Sequence, residues 1–203
     1  MINIETLYPV GYFGANTYII ESRGEYAVID PSVSYEDAIK KFPMVEGRVK
    51  YVLLTHAHFD HILKIDSWLK EGVQVFIGEQ DGPALSDPYK NCYLGFYGVN
   101  DGYFGKYNAI KEGFSVKLGD EHIRVIGCPG HTAGGVSYLI GNNMFVGDTI
   151  FEGGGYGRCD LPGGDIGLLE KSILKILSLD DEIILYPGHG GTTTVRDSRK
   201  YFM

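Results

Sequence analysis

The sequence predicts an α+β protein built from two packed sheets covered by helices, and three observations carry that expectation. Short apolar and β-branched runs recur along the whole chain, each bounded by turn residues. Only four segments carry the apolar spacing or flanks of a helix. The two kinds of segment do not alternate as a regular βαβ repeat, which argues against a single parallel sheet. At 203 residues the chain is long enough for one domain with a real interior, and a single domain over 1–203 is expected.

Taken in order, residues 4–10, 17–20 and 27–29 read as strands, and 35–42 has helical spacing. Strand 49–54 runs into a histidine-rich turn, followed by an expected helix at 61–70 and a strand at 73–77. Strands at 114–118, 122–126, 136–140 and 144–146 come later. They join in pairs through Gly119-Asp120 and Gly141-Asn142-Asn143, where Gly and Asn accept left-handed backbone. Helix 167–177 begins after Asp165, a side chain suited to accept from the first free N–H groups of a helix. Strand 182–185 and helix 195–202 follow.

The stretch 81–111 has no sustained period and holds Tyr89, Tyr93, Phe96, Tyr97, Tyr103, Phe104 and Tyr107 among Gly, Asn and Asp. It reads as a long aromatic connection. Two roles are open to it: anchoring a loop to the core, or forming a cleft wall in which Tyr93, Phe96 and Tyr97 meet substrate.

Composition narrows the function. The 44% hydrophobic and 22% charged content is that of a globular chain, and no low-complexity tract interrupts it. A net charge of -8 argues against a broad phosphate-binding footprint, so nucleic acid is not the expected partner. No run approaches the length of a membrane span, and the first residues lack the basic and apolar segments of a secretory signal. A cytoplasmic protein with no membrane partner is expected. Three cysteines, Cys92, Cys128 and Cys159, show no CxxC spacing and fit a reducing compartment.

The chemistry concentrates at Thr55-His56-Ala57-His58-Phe59-Asp60-His61. A lone histidine is more often a surface or hydrogen-bonded structural group. Three imidazoles and a carboxylate within six positions at a strand end have no common structural reason to assemble, and they suit zinc, iron or manganese. Three further segments share one grammar of apolar strand, glycine turn and ligand-type residue: His131 after Pro129-Gly130, Asp148 after Gly147, and His189 after Pro187-Gly188. His122 sits inside an alternating strand without that context and is expected to face solvent. Cys159 is weighed as a site-lining group, although isolated cysteines are commonly buried and inert.

This ordered set resembles the metallo-β-lactamase-fold hydrolases, over nearly the full chain. The resemblance implies a four-layer αβ/βα sandwich with the site between sheet edges. It further implies one divalent ion at His56, His58 and His131, a second at Asp60, His61 and His189, and Asp148 bridging them. Asp60 and Asp148 would be the catalytic carboxylates, activating water against an ester or thioester carbonyl. Gly147-Asp148-Thr149-Ile150-Phe151, the segment Gly157-Arg158-Cys159-Asp160-Leu161-Pro162-Gly163-Gly164-Asp165, Asn16-Thr17-Tyr18 and Val28-Ile29-Asp30-Pro31 look most like the glyoxalase-II-like branch. That favours acyl thioester hydrolysis over β-lactam hydrolysis, because the two-zinc lactamase classes generally place a cysteine where Asp60 is available here.

The short stretch beyond His189 leaves no room for the helical domain through which full-length glyoxalase II enzymes contact much of glutathione. The expected partner is therefore a small acyl substrate of unspecified thiol, and a homo-oligomer is compatible with the sequence. Two divalent ions are expected, zinc first, with iron or manganese accepted by the same ligands. Arg158 could bind an anionic substrate group, pair with Asp160 to support the site, or tie its loop to the body. Thr55, Thr132 and Thr149 are candidates for hydrogen bonds behind the ligands. The competing readings are a mononuclear iron persulfide dioxygenase, which would make His61 and His189 less important, and a non-enzymatic metal-binding module.

Overall fold

A computed structural model describes residues 2–9, 11 and 14–203. Among the described residues, twelve strands form two six-stranded sheets. The first has the order β1 (Asn3–Leu7), β2 (Thr17–Ser22), β3 (Glu25–Ile29), β4 (Val49–Leu53), β5 (Gln74–Gly78), β6 (Asn108–Ile110). The second runs β12 (Thr193–Thr194), β11 (Ile184–Pro187), β10 (Asn143–Gly147), β9 (Val136–Ile140), β8 (Glu121–Gly127), β7 (Ser115–Leu118). In the first sheet β3, β4, β5 and β6 are mutually parallel. In the second, β10 and β11 are parallel and the other pairs antiparallel.

The layering follows from the period-two alternation of strand side chains. Tyr18, Ile20, Ala27, Ile29, Leu53 and Phe76 of the first sheet share one buried core with Ile123, Val125, Val136, Tyr138, Ile140 and Phe145 of the second. The intervening residues of the first sheet, Ile19, Val28, Val52, Val75 and Ile77, pack outward with Ala38 and Trp68. Leu139, Met144, Val146 and Leu185 of the second pack against Leu169, Ile173, Ile176 and Leu177. The result is the expected helix, sheet, sheet, helix sandwich.

The helices are α1 (Tyr35–Lys41), α2 (Phe59–Ile62), α3 (Ile65–Trp68), α4 (Tyr93–Tyr97), α5 (Ile166–Leu177) and α6 (Val195–Phe202). Asp165 caps α5 as expected, accepting from the Leu168 N–H at 2.9 Å. The expected helix 61–70 is instead two single turns, because the Lys64 N–H bonds the Pro31 carbonyl and leaves the helical ladder. Expected strand 4–10 ends at Leu7, and Val10 lies outside the described residues. Expected strand 182–185 begins two residues later, since Asp180 closes a turn on Glu182 and Ile183. The 81–111 stretch is not structureless: it holds a 3-10 turn at Gly82–Ser86, then α4 and β6. No helix among the described residues is long and apolar enough to cross a membrane.

Candidate metal centre

Strand direction brings the chemistry together. Parallel β3, β4 and β5 end side by side, so the segments after them, carrying Asp30, His56 to His61, and Asp81, emerge at one edge of the sheet. Parallel β10 and β11 likewise deliver Asp148 and His189 together. His131 arrives on the turn between β8 and β9. Backbone bonds hold the turns to one another: Val136 N–H to Thr55 O at 2.9 Å, Gly188 N–H to Gly147 O at 2.8 Å and Asn16 N–H to Gly188 O at 2.7 Å.

All seven ligand-type residues converge. His56, His58 and His131 form one set, with His131 Nε2 2.9 Å from His58 Nδ1 and 3.2 Å from His56 Nε2. Asp60, His61 and His189 form a second, with His189 Nε2 3.1 Å from Asp60 Oδ2. Asp148 stands between them: Oδ1 is 3.3 Å from His61 Nε2, and Oδ2 is 3.6 Å from both His131 Nε2 and His189 Nε2. His122 is apart from this group, exposed on β8 with Nδ1 3.3 Å from the Ser115 hydroxyl.

The donor set fits divalent cations. Burial, reinforced by neighbouring imidazoles, holds His56 far below its ordinary pKa and His58 down at about 3, so both present neutral rings with free lone pairs. Around His61 burial opposes charge, yet the carboxylates of Asp30, Asp60 and Asp148 outweigh it and draw positive charge to the ring. For Asp148 burial is likewise overcome, by His61, His131 and His189, and its carboxyl is held well below the usual range. His61 Nε2 and Asp148 Oδ1, facing each other, are both buried without a hydrogen-bond partner, as is His58 Nε2. Unpartnered buried polar atoms are costly, and a cation shared among them would satisfy the inward-facing pair.

Two carboxylates that the sequence reading did not single out lie behind the ligands. Asp30 accepts from Thr55 N–H at 2.8 Å, Thr55 Oγ1–H at 2.7 Å and His61 Nδ1–H at 2.8 Å, which leaves His61 Nε2 free to face inward. Asp81 accepts from Ala57 N–H at 3.2 Å, Thr132 Oγ1–H at 2.7 Å and Gly134 N–H at 2.6 Å, joining the His56-to-His58 turn to the His131 turn. His131 Nδ1–H donates to the Arg158 carbonyl at 2.7 Å. The Arg158 side chain donates to Asp160 of its own loop through Nε and Nη2.

A cavity of about 230 Å3 opens over the ligands, walled by Phe96, Phe151, Tyr156, Leu161, Cys92 and Arg158. A larger groove of about 620 Å3 near β1 and α1 contains none of the seven ligand-type residues. The three aromatics expected at a cleft wall therefore separate. Phe96 lines the metal cavity, Tyr97 lines the other groove, and Tyr93 is buried against Phe59 with ring centroids 5.6 Å apart. Successive side chains on a helix point about 100° apart, which sends Phe96 and Tyr97 to different hollows. Cys159 is not on the cavity wall: its thiol donates to Gly157 O at 3.5 Å, and burial pushes its pKa up, away from a reactive thiolate.

Comparison with known proteins agrees with this arrangement. Residues 10–189 match the family model of the metallo-beta-lactamase superfamily. Haemophilus influenzae hydroxyacylglutathione hydrolase GloC is 31% identical over 98% of this chain and 96% of its own. The probable metallo-hydrolase YqgX of Bacillus subtilis is 31% identical over 92% and 90% respectively. Among solved structures, the B3 metallo-beta-lactamase BLEG-1 superposes with a TM-score of 0.88 at 30% identity, covering 98% of this chain and 97% of that one. A protein crystallised in a di-iron-bound form superposes at 0.80 with 28% identity, covering 96% and 98%. By its fold, its converging ligand turns and these matches, the chain belongs to the metallo-beta-lactamase superfamily.

Proposed function

We propose that this protein is a binuclear metal-dependent hydrolase that cleaves an acyl thioester or a related ester. The observation that carries the reading is the pair of compact ligand sets with Asp148 between them. Similarity to a hydroxyacylglutathione hydrolase along nearly the whole of both chains supports the thioester class. His56, His58 and His131 would hold one ion, and Asp60, His61 and His189 the other, with Asp148 offering an oxygen to each. Zinc, iron and manganese all suit such nitrogen and oxygen donors.

Divalent ions in these positions supply Lewis acidity, which lowers the pKa of water toward neutrality and polarises a carbonyl oxygen. The chain's own residues do the rest. Asp60, whose Oδ2 lies 3.1 Å from His189 Nε2, would share the second ion with it and turn its carboxylate to orient the attacking water. Asp30 keeps the His61 proton on Nδ1. Phe151, whose ring meets His189 edge-on at 5.9 Å, joins Phe96, Tyr156 and Leu161 in excluding bulk water and holding a small acyl group beside the carboxylates.

Metal analysis of protein purified without chelator should give close to two transition-metal ions per chain, and His189→Ala should lose one selectively. Metal-loaded protein should hydrolyse short acyl thioesters. A chain that stays at one ion after supplementation, with oxygen uptake in the presence of a persulfide and no thioester turnover, would overturn the reading in favour of a mononuclear dioxygenase.

A further inference from the structure

The imidazoles of the two ligand sets are not all held in the same way. His56 Nδ1 meets the Thr55 hydroxyl at 3.1 Å, His61 Nδ1 donates to Asp30 and His131 Nδ1 to the Arg158 carbonyl, so each of these rings is fixed through the nitrogen that faces away from the cluster. His58 is buried and packs edge-on against the rings of His56 and His131. His189 has neither support. Its side chain is 39% exposed, and among the described residues its Nδ1 has no hydrogen-bond partner. It sits in Pro187-Gly188-His189-Gly190-Gly191, where three glycines give the unfolded backbone its widest freedom.

The placement of His189 therefore depends on its backbone, and buried Asn16, just before β2, holds that backbone on both sides of the ligand. Asn16 N–H donates to Gly188 O at 2.7 Å, and its Nδ2 lies 3.1 Å from Pro187 O and 3.0 Å from Gly190 O. The Tyr18 hydroxyl accepts from the same Nδ2 and donates to Pro187 O. Ala15 N–H reaches Asp60 O at 3.4 Å, so residues 15 and 16 touch the segments of two ligands of the second set. The three-histidine set is joined by other bonds, those of Asp81.

We propose that Asn16 is a positioning residue for His189 and sets the occupancy of the second ion, deciding whether the protein carries one ion or two. The assignment rests on the binuclear reading above. A ligand on a glycine-flanked turn must lose backbone freedom before it can bind, and that loss is subtracted from the affinity for the ion. Asn16 removes the freedom beforehand. Its amide nitrogen brings two donors to carbonyls on either side of His189, which a carboxylate or a hydroxyl of similar size cannot do.

Asn16→Asp keeps the shape of the side chain and turns its donors into acceptors that face carbonyls. Zinc titrated into chelator-stripped protein, followed by calorimetry, should report two binding steps in the wild type. In Asn16→Asp one step should weaken about 10- to 100-fold, the usual loss when a group supporting a metal ligand is removed. The other should stay within about twofold. Asn16→Ala, which introduces no repulsion, should show the same pattern and serves if Asn16→Asp does not fold. Added to His189→Ala, either substitution should leave the affinity for the one remaining ion unchanged, because both act on the same site. A merely structural role would weaken both steps together and would weaken the remaining ion in the combined variant. Either result overturns the assignment, as do two unchanged steps in the single variants. A wild type that takes up one ion only overturns the binuclear reading itself, and this assignment with it.

Discussion

Asp148 lies within 3.6 Å of three imidazoles that belong to two different ligand sets, and no other carboxylate in the cluster is shared in this way. Replacing it with Ala should lower hydrolytic turnover at least about 100-fold, measured on protein whose metal content is restored. An unchanged rate would remove it from its bridging position. Gly188 offers a subtler test. A Cβ at this position would overlap Asp148 Oδ1 and the His61 ring, while Asp30 holds that ring from behind. Gly188→Ala should therefore displace Asp148, lower the metal content and leave the circular-dichroism spectrum of the fold in place. At this scale the sequence was informative where ligands crowd together, as at His56 to His61. It was less so for Asp30 and Asp81, each a single acid just past an apolar strand. Asp81 follows β5 through Gly78 and so obeys the same strand, glycine, ligand grammar as Asp148. What hid it was the aromatic stretch that begins at the same residue.

That stretch, at the scale of an element, does both of the jobs considered for it, using different residues. Asn91 is fully buried, accepts the Phe59 N–H through its backbone carbonyl at 2.8 Å, and donates from its side chain to Leu85 and Asp101. The segment is thereby fastened to the turn between His58 and Asp60. Tyr93 completes the anchor by packing on Phe59 while buried, and the exposed Phe96 packs on the same ring at 5.0 Å and also reaches the cavity. Tyr93→Ala should cost about 3 kcal/mol of stability and depress every substrate together. Phe96→Ala should instead alter the ranking among acyl thioesters by about tenfold with a smaller change in melting temperature. Kinetics on a substrate panel, set beside the melting point of each variant, decides between these outcomes, and a uniform loss in Phe96→Ala would return it to the anchor. Periodicity could not reveal this division, because α4 spans only five residues. The break between α2 and α3 was equally hidden, since it depends on the Pro31 carbonyl, distant in sequence.

For the whole molecule, the sheet core was legible because alternation along β2, β3, β8 and β9 separates inner from outer faces. The strand order was not, since pairing of β6 at one edge or β12 at the other depends on partners that local pattern does not name. Both sheets end at the ligand turns, so metal occupancy should stabilise the entire fold. For each ion present at about 100 times its dissociation constant, removal should cost about 2.7 kcal/mol, or roughly 5 to 10 °C in melting temperature. Calorimetry with and without chelator measures this, and an unchanged transition would show that the turns stand without ions. The Asn16 side chain donates to the carbonyls of Pro187 and Gly190, partners 171 and 174 positions away, and the Tyr18 hydroxyl joins it on Pro187. A chain emerging from the ribosome therefore carries His56, His58 and His131 well before His189 and the turn that Asn16 clasps. If the three-histidine set takes an ion during synthesis, it would do so while the other set still lacks His189, and the order of translation would then set an order of metal loading.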